Sequence, residues 1–219
     1  MKKTTENKSS GNKEKFIIFA IIGIILAVSL FLFFLNIDNG NNTPTNQTIT
    51  KQYKGFAFTK ENNFWYTQIE VTDRFKRTKK TFDFYVHYTP DEVENIPTMR
   101  NSNNESVSPN LLLNVQTVYI TTDPEYPAEV VLGGVEIAKV IAQIYGKEVK
   151  SATTRPDNRT KAPVITCDDL SASQRIILLN LGNETKIYSD HGCIVVQGTN
   201  ATEVVKASER LAYEMLKIL

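Results

Sequence analysis

The chain of 219 residues holds two histidines and two cysteines, so any chemistry near neutral pH has few side chains to draw on. His191 lies beside Asp190 and close to Ser189, and Asp168, Asp169, Ser171 and Ser173 stand a short way upstream. These are the residue types of a hydrolytic acid–base relay. The plainer reading is structural: Asp190-His191-Gly192 between two apolar runs is a turn, and Asp168-Asp169 leads out of a strand. A hydrolase would need His87 or His191 to meet a nucleophile and a carboxylate in space. No P-loop, G-x-G-x-x-G, H-E-x-x-H, C-x-x-C, EF-hand loop or G-x-S-x-G occurs. The expectation is a protein without catalytic residues, and without metal or cofactor, because two cysteines and two histidines are too few soft ligands for a zinc site.

Cys167 and Cys193 close a loop whose ends are 26 positions apart. In an oxidising compartment one bridge between them is the economical reading, and a pair of buried free thiols is the alternative. Arg74, Lys76, Arg77, Lys79 and Lys80 put five cations into seven positions. With Phe75 the single aromatic among them, they read as a charged connection and a candidate contact patch for anionic lipid, glycan or an acidic partner, not as a nucleic-acid surface. N-x-[ST] sequons at Asn41, Asn46, Asn104, Asn158 and Asn183 fall in expected linkers and loops and are glycosylation candidates. Asn200 also begins a sequon, but Glu203 follows at the third helical position, so Asn200 reads as a helix cap and is expected to stay bare. A seventh sequon, at Asn7, lies on the wrong side of the expected membrane.

That membrane is read from residues 16–35, twenty residues without a charge and with Ser29 as the one polar side chain. At 1.5 Å per residue such a helix spans about 30 Å, the hydrocarbon thickness of a bilayer. The run is too long for a signal-peptide core, and no small-x-small cleavage pattern follows it. Ala20 stands where a type IV prepilin carries glutamate. Lys2, Lys3, Lys8, Lys13 and Lys15 outnumber Glu6 and Glu14 ahead of the run, which puts residues 1–15 in the cytoplasm as a basic tail. Residues 36–219 are then extracytoplasmic, with 20 cations against 22 acids.

Residues 36–52, rich in Asn, Thr and Gln, read as a flexible linker. Residues 53–219 read as one globular α+β domain, with a sub-boundary at the polar stretch 100–110. Its first part is a β-hairpin region: Trp65, Thr67, Ile69 and Val71 alternate with polar neighbours, as do Phe82, Phe84, Val86 and Tyr88, with residues 73–80 as the connection. Thr89-Pro90-Asp91-Glu92 is a helix start. Strands follow at 115–122 and 147–152 around a helix at 127–145, stopped by Gly146, whose Gly133-Gly134 pair implies close packing against a sheet. Strands are expected at 163–167, 175–181, 185–189 and 193–198, with a helix as the alternative for 175–181. Residues 201–218 form an amphipathic helix with Val204, Ala207, Leu211, Met215 and Ile218 on one face.

The stretches NNFWYTQIEV, FYVHYTPDEVENIP, VYITTDPE, PVITCDD, GNETKIY, GCIVVQG and KASERLAYEMLKIL together make the chain resemble a family of small archaeal single-pass membrane proteins. The resemblance to modules of archaeal surface-layer proteins is looser. It implies an archaeal cell-envelope setting, glycosylated sequons and cysteines that are family features, and it supplies no activity. The leading expectation is therefore an anchored, non-enzymatic envelope protein that contacts protein, glycan or lipid, with no strongly perturbed titratable group in a deep pocket. The rival is an anchored solute- or peptide-binding module, which predicts a concave apolar pocket near the strand ends around Asp123 or Asp168.

Overall fold

A computed structural model describes residues 49–72, 79–100, 111–112 and 115–219. The expected membrane segment 16–35, the tail before it, most of the linker, Asn41, Asn46, Asn104, Arg74, Lys76 and Arg77 lie outside the described residues. No helix among the described residues is long and apolar enough to cross a membrane.

Among the described residues two sheets and three α-helices make an α+β fold. Strands β1 (Thr50–Tyr53), β2 (Phe56–Glu61), β3 (Phe64–Thr72) and β4 (Lys79–Val86) form an antiparallel sheet in that order. Thr50, Lys51 and Gln52 were expected in the linker. They are strand because Lys51 lies 5.0 Å from the Trp65 ring and 3.3 Å from Asp91, which ties the edge strand down. The period-two pattern sets the register: Trp65, Thr67, Ile69, Phe84 and Val86 are buried, and Trp65 faces Val86 across the ladder. Lys79 and Lys80, expected in the connection, begin β4 instead, opposite Thr72 and Val71. Helix α1 (Pro90–Val93) opens with the expected capping box, in which Glu92 accepts from the Thr89 amide at 2.8 Å.

The second sheet is built from β5 (Thr117–Thr122), β6 (Glu148–Thr153), β7 (Gln174–Leu181), β8 (Lys186–Asp190) and β9 (Cys193–Gly198), in the order β6-β5-β7-β9-β8. All neighbours are parallel except the β8–β9 hairpin. RIILLNL is strand, and Ile176 and Ile177 are both fully buried, as expected of a central parallel strand covered on two faces. Residues 163–167 do not form a strand. Val164 makes one bridge to Thr153, and Cys167–Asp169 is a 3-10 turn whose Asp169 caps back onto the Thr166 amide.

Helix α2 (Glu129–Lys139) joins β5 to β6, continues into a π-turn (Val140–Ile144) and stops at Gly146, φ +63°. Helix α3 (Ala201–Met215) closes the chain, and the Asn200 side chain accepts from the Glu203 amide at 3.1 Å, a cap worth about 1 kcal/mol. The two glycines of α2 do different things. A Cβ on Gly134 would stand 3.1 Å from Ile120 and 3.2 Å from Leu179 on the sheet, whereas one on Gly133 would stand 2.4 Å from Ser208 Oγ on α3. Helix α3 is buried well beyond its expected face, with Glu209, Arg210, Tyr213 and Glu214 also inside. The reason is its place between α2, β9 and the antiparallel sheet, where Phe58 and Phe84 meet Tyr213 edge-on at 6.0 and 6.2 Å. Both sheets thus share one core.

On the other face of the parallel sheet a smaller apolar cluster gathers Ile176, Cys193 and Val195 with Ile165 and Leu170. There Cys167 is disulfide-bonded to Cys193, which fastens the β6–β7 connection to β9.

Candidate functional site

The strand order places the reversal of the chain path at β5. From β5 the chain passes through α2 to β6 on one side, then crosses back to β7 on the other. In open α/β sheets the connections diverge at such a point, beyond the carboxyl ends of the strands, and leave a crevice. A cleft of about 1110 Å³ opens there. Its floor comes from Ile120, Thr122 and Leu179, its walls from Val131, Gly134, Val135 and Ala138 of α2 and from Val149, Ser151 and Thr153 of β6. Asp123 stands at its rim, and Asp168 is not part of it.

Helix α2 covers β5 and β7 and leaves the β6 side of that face open, so Val131 and Val135 remain 52% and 45% exposed. EVVLGGVEIAK carries the signal in sequence, since apolar residues lie on both sides of the helix and one face can serve the core. The charged rim is mostly self-paired. Arg155 holds Asp123 at 2.7 Å, Arg159 holds Asp157 at 2.9 Å and also reaches the Pro124 carbonyl, and Lys150 meets Glu148 at 3.2 Å. These contacts hold the Asp123 and Asp157 carboxyls below the usual carboxylate range, through the Glu125 amide first for Asp123 and through the Arg159 guanidinium for Asp157. Tyr126 donates to Asn180 Oδ1 at 3.0 Å and so bridges the ends of β5 and β7.

A second cluster lies where β4 ends. His87, Glu136 and Glu209 present ligand-type atoms within 4.8 Å of one another. Glu209 Oε1 accepts from the His87 amide at 2.6 Å and lies 3.0 Å from His87 Nδ1, and Oε2 accepts from the Tyr88 amide at 2.8 Å. Both oxygens of Glu136 are taken by Lys139 at 2.9 Å. The carboxylates are thus engaged by donors already on hand: two negative groups face His87 and Lys139, and the arrangement suits a structural clasp better than a metal centre. Burial pushes the Glu209 carboxyl up, while the hydrogen bond to Glu209 raises His87. This perturbed group sits in the interface between helix and sheet, away from the cleft. The signal for it was an acid between Val205 and Tyr213, each one turn away on an otherwise apolar face.

The residues singled out for acid–base chemistry do not converge. His191 and Asp190 meet at 3.0 Å on the surface, 76% and 53% exposed, in the β8–β9 turn where His191 and Gly192 both have positive φ. Ser171 bonds Ser173, and Asp169 is spent as a cap. Ser189 lies in β8. His87 meets two carboxylates, and among the described residues it hydrogen-bonds no hydroxyl or thiol. Asn158 and Asn183 are exposed, the former on the connection that rims the cleft. Lys79 and Lys80 are exposed, and Lys79 pairs with Glu70 at 2.6 Å.

The chain matches no protein-family model, no curated protein and no solved structure.

Proposed function

We propose that the protein is a membrane-anchored, extracytoplasmic binding module of a cell envelope that takes a small solute or peptide in the cleft at the β5 reversal, without catalysing a reaction on it. The observation that carries this reading is the cleft itself: it is concave, chiefly apolar, placed at strand ends, and walled by valines that a helix without a partner would not leave exposed. Residues 16–35 as the single membrane helix, the basic tail as its cytoplasmic side, and a disulfide that persists outside the cytosol support the placement. An archaeal envelope, the setting the sequence resemblance implies, fits all three.

The outer face of the antiparallel sheet favours a second reading, contact with an envelope protein or glycan. Tyr66 and Tyr85 lie there with ring centroids 5.0 Å apart, beside the exposed Phe64.

Native mass spectrometry of the full chain, extracted from the membranes of a related host, tests the first reading. The expected result is a retained small-molecule or peptide mass that disappears in Val135→Trp, which fills the cleft from an exposed position. A chain that carries the same masses with and without the substitution would locate binding elsewhere and overturn it.

A further inference from the structure

Granting that the cleft is a binding site, its charges and the buried hydroxyl of Thr153 specify what it takes. We infer that the cleft binds a monoanionic carboxylate with an aliphatic body. Every acid in its lining is already paired, Asp123 with Arg155 and Asp157 with Arg159. A cationic ligand would have to displace an arginine from a bonded carboxylate. Of the cations in the lining, Lys150 and Arg159 are likewise engaged. Lys161, also in the lining, makes no ion pair or hydrogen bond among the described residues. One uncompensated positive charge at the edge of an apolar cleft selects a single negative charge, and a dianion would leave one charge unpaired.

Thr153 adds an independent observation. It is 93% buried, lines the cleft, and its Oγ1 has no hydrogen-bond partner among the described residues. Its backbone is fully used, since the amide donates to the Pro163 carbonyl at 3.0 Å and the carbonyl accepts from the Ile165 amide at 2.9 Å. A buried hydroxyl without a partner costs free energy until an acceptor arrives, and a carboxylate oxygen is an acceptor. The amino end of α2 points the same way. Ala128 at its cap position provides no side-chain acceptor, and Pro127 and Ala128 both line the cleft, so the partial positive charge of an 11-residue helix borders it. Glu129 in the first turn is exposed and offsets that charge only in part. Val131, Val135 and Val149 then receive the aliphatic body, as apolar surface seeks apolar surface.

Such a carboxylate has two sources, a fatty acid from the adjacent bilayer or a short branched or linear acid from outside. The full chain is placed in lipid nanodiscs and labelled with diazirine-bearing decanoic acid, the matching alcohol and the matching amine, with a five-carbon diazirine acid as a further arm. Crosslinked peptides are mapped by mass spectrometry. The expected result is acid-selective labelling of α2 and β6, with Lys161→Glu and Thr153→Val each reducing it about tenfold and leaving labelling by the alcohol unchanged. Preference for the ten-carbon acid points to a lipid source, and preference for the five-carbon acid to a free solute. Equal labelling by acid, alcohol and amine, or indifference to Lys161→Glu, overturns the carboxylate and leaves the cleft standing as a binding site. No probe in the cleft overturns both.

Discussion

The two carboxylate oxygens of Glu209 stand where the next strand of the ladder would have stood for His87: Oε1 is 2.6 Å from the His87 amide and Oε2 is 2.8 Å from the amide of Tyr88. Strand β4 ends at Val86, and the part-buried amides that follow would lack ladder partners. One turn further along α3, the Tyr213 hydroxyl donates to the Tyr88 carbonyl at 2.6 Å. Helix and sheet are thus joined at the backbone, through side chains more than a hundred positions away, in addition to their packing.

Removing that acceptor leaves two part-buried amides without it, so Glu209→Ala should destabilise the domain by about 2 kcal/mol. Glu209→Gln keeps one acceptor oxygen and should cost about half as much. Guanidinium unfolding followed by the lone tryptophan, Trp65, measures both, since that residue is 7% exposed in the shared core. Losses under about 0.5 kcal/mol, the scatter of ordinary surface changes, would mean that the clasp is incidental.

The same contact makes stability depend on pH. The hydrogen bond to Glu209 raises the His87 pKa above its ordinary 6.5, with the Glu136 carboxylate adding to it and Lys139 opposing. A base raised in the fold contributes stability that is complete below pH 6.5 and is lost as pH climbs through the folded value. Burial raises Glu209 above 4.5, and an acid shifted upward also favours the fold at low pH and loses that advantage as pH rises. Both slopes have the same sign, so unfolding midpoints should fall as pH rises above 6.5. His87→Gln should flatten the part above pH 6.5. A midpoint that rises over this interval would show that other groups dominate.

What the sequence disclosed followed from local rules. The alternation of Trp65, Thr67 and Ile69, the capping box at Thr89 and the stop at Gly146 each need only a few neighbouring residues, and each stands where expected. Residues 163–167 misled because Val, Ile and Thr suit a strand, while the Thr166 to Asp169 cap, three residues apart, was the stronger instruction. Glu209, Arg210 and Glu214 lie outside the apolar face that the spacing assigns to α3. Their burial depends on His87 and on the antiparallel sheet, which no window along the chain can contain. Of the two places that the rival reading offered for a pocket, around Asp123 or around Asp168, the cleft has Asp123 at its rim and lacks Asp168, and its extent was not legible, because that depends on how far α2 sits from β6.

Close approach at two glycines should separate two kinds of steric cost. A Cβ on Gly198 would lie 2.3 Å from the Val204 nitrogen and 2.5 Å from the Glu203 carbonyl carbon, both backbone atoms of the first turns of α3. One on Gly133 would meet the Ser208 hydroxyl, which can rotate, though Val204 O lies at 3.3 Å. Gly198→Ala should therefore cost about 3 kcal/mol or prevent folding, and Gly133→Ala about 1 kcal/mol, with Gly133→Ala/Ser208→Ala recovering most of it. Equal losses at the two sites in thermal unfolding would contradict this picture.

The disulfide closes a loop across 26 positions and joins the β6–β7 connection to β9, beside the apolar contacts of Ile165 and Leu170. On the chain-entropy account the bond contributes about 3.5 kcal/mol by constraining the unfolded chain. Cys193 is fully buried, so Cys193→Ser would add the burial of a hydroxyl to the loss of the bond, whereas the partly exposed Cys167 would not. Cys167→Ser should thus reveal the cost of the bond, and Cys193→Ser should exceed it. Intact mass gives the complementary reading: a gain of two hydrogens on reduction identifies the oxidised form in the membrane fraction. A chain purified with both thiols free, yet as stable as the oxidised one, would remove the main chemical support for an extracytoplasmic domain.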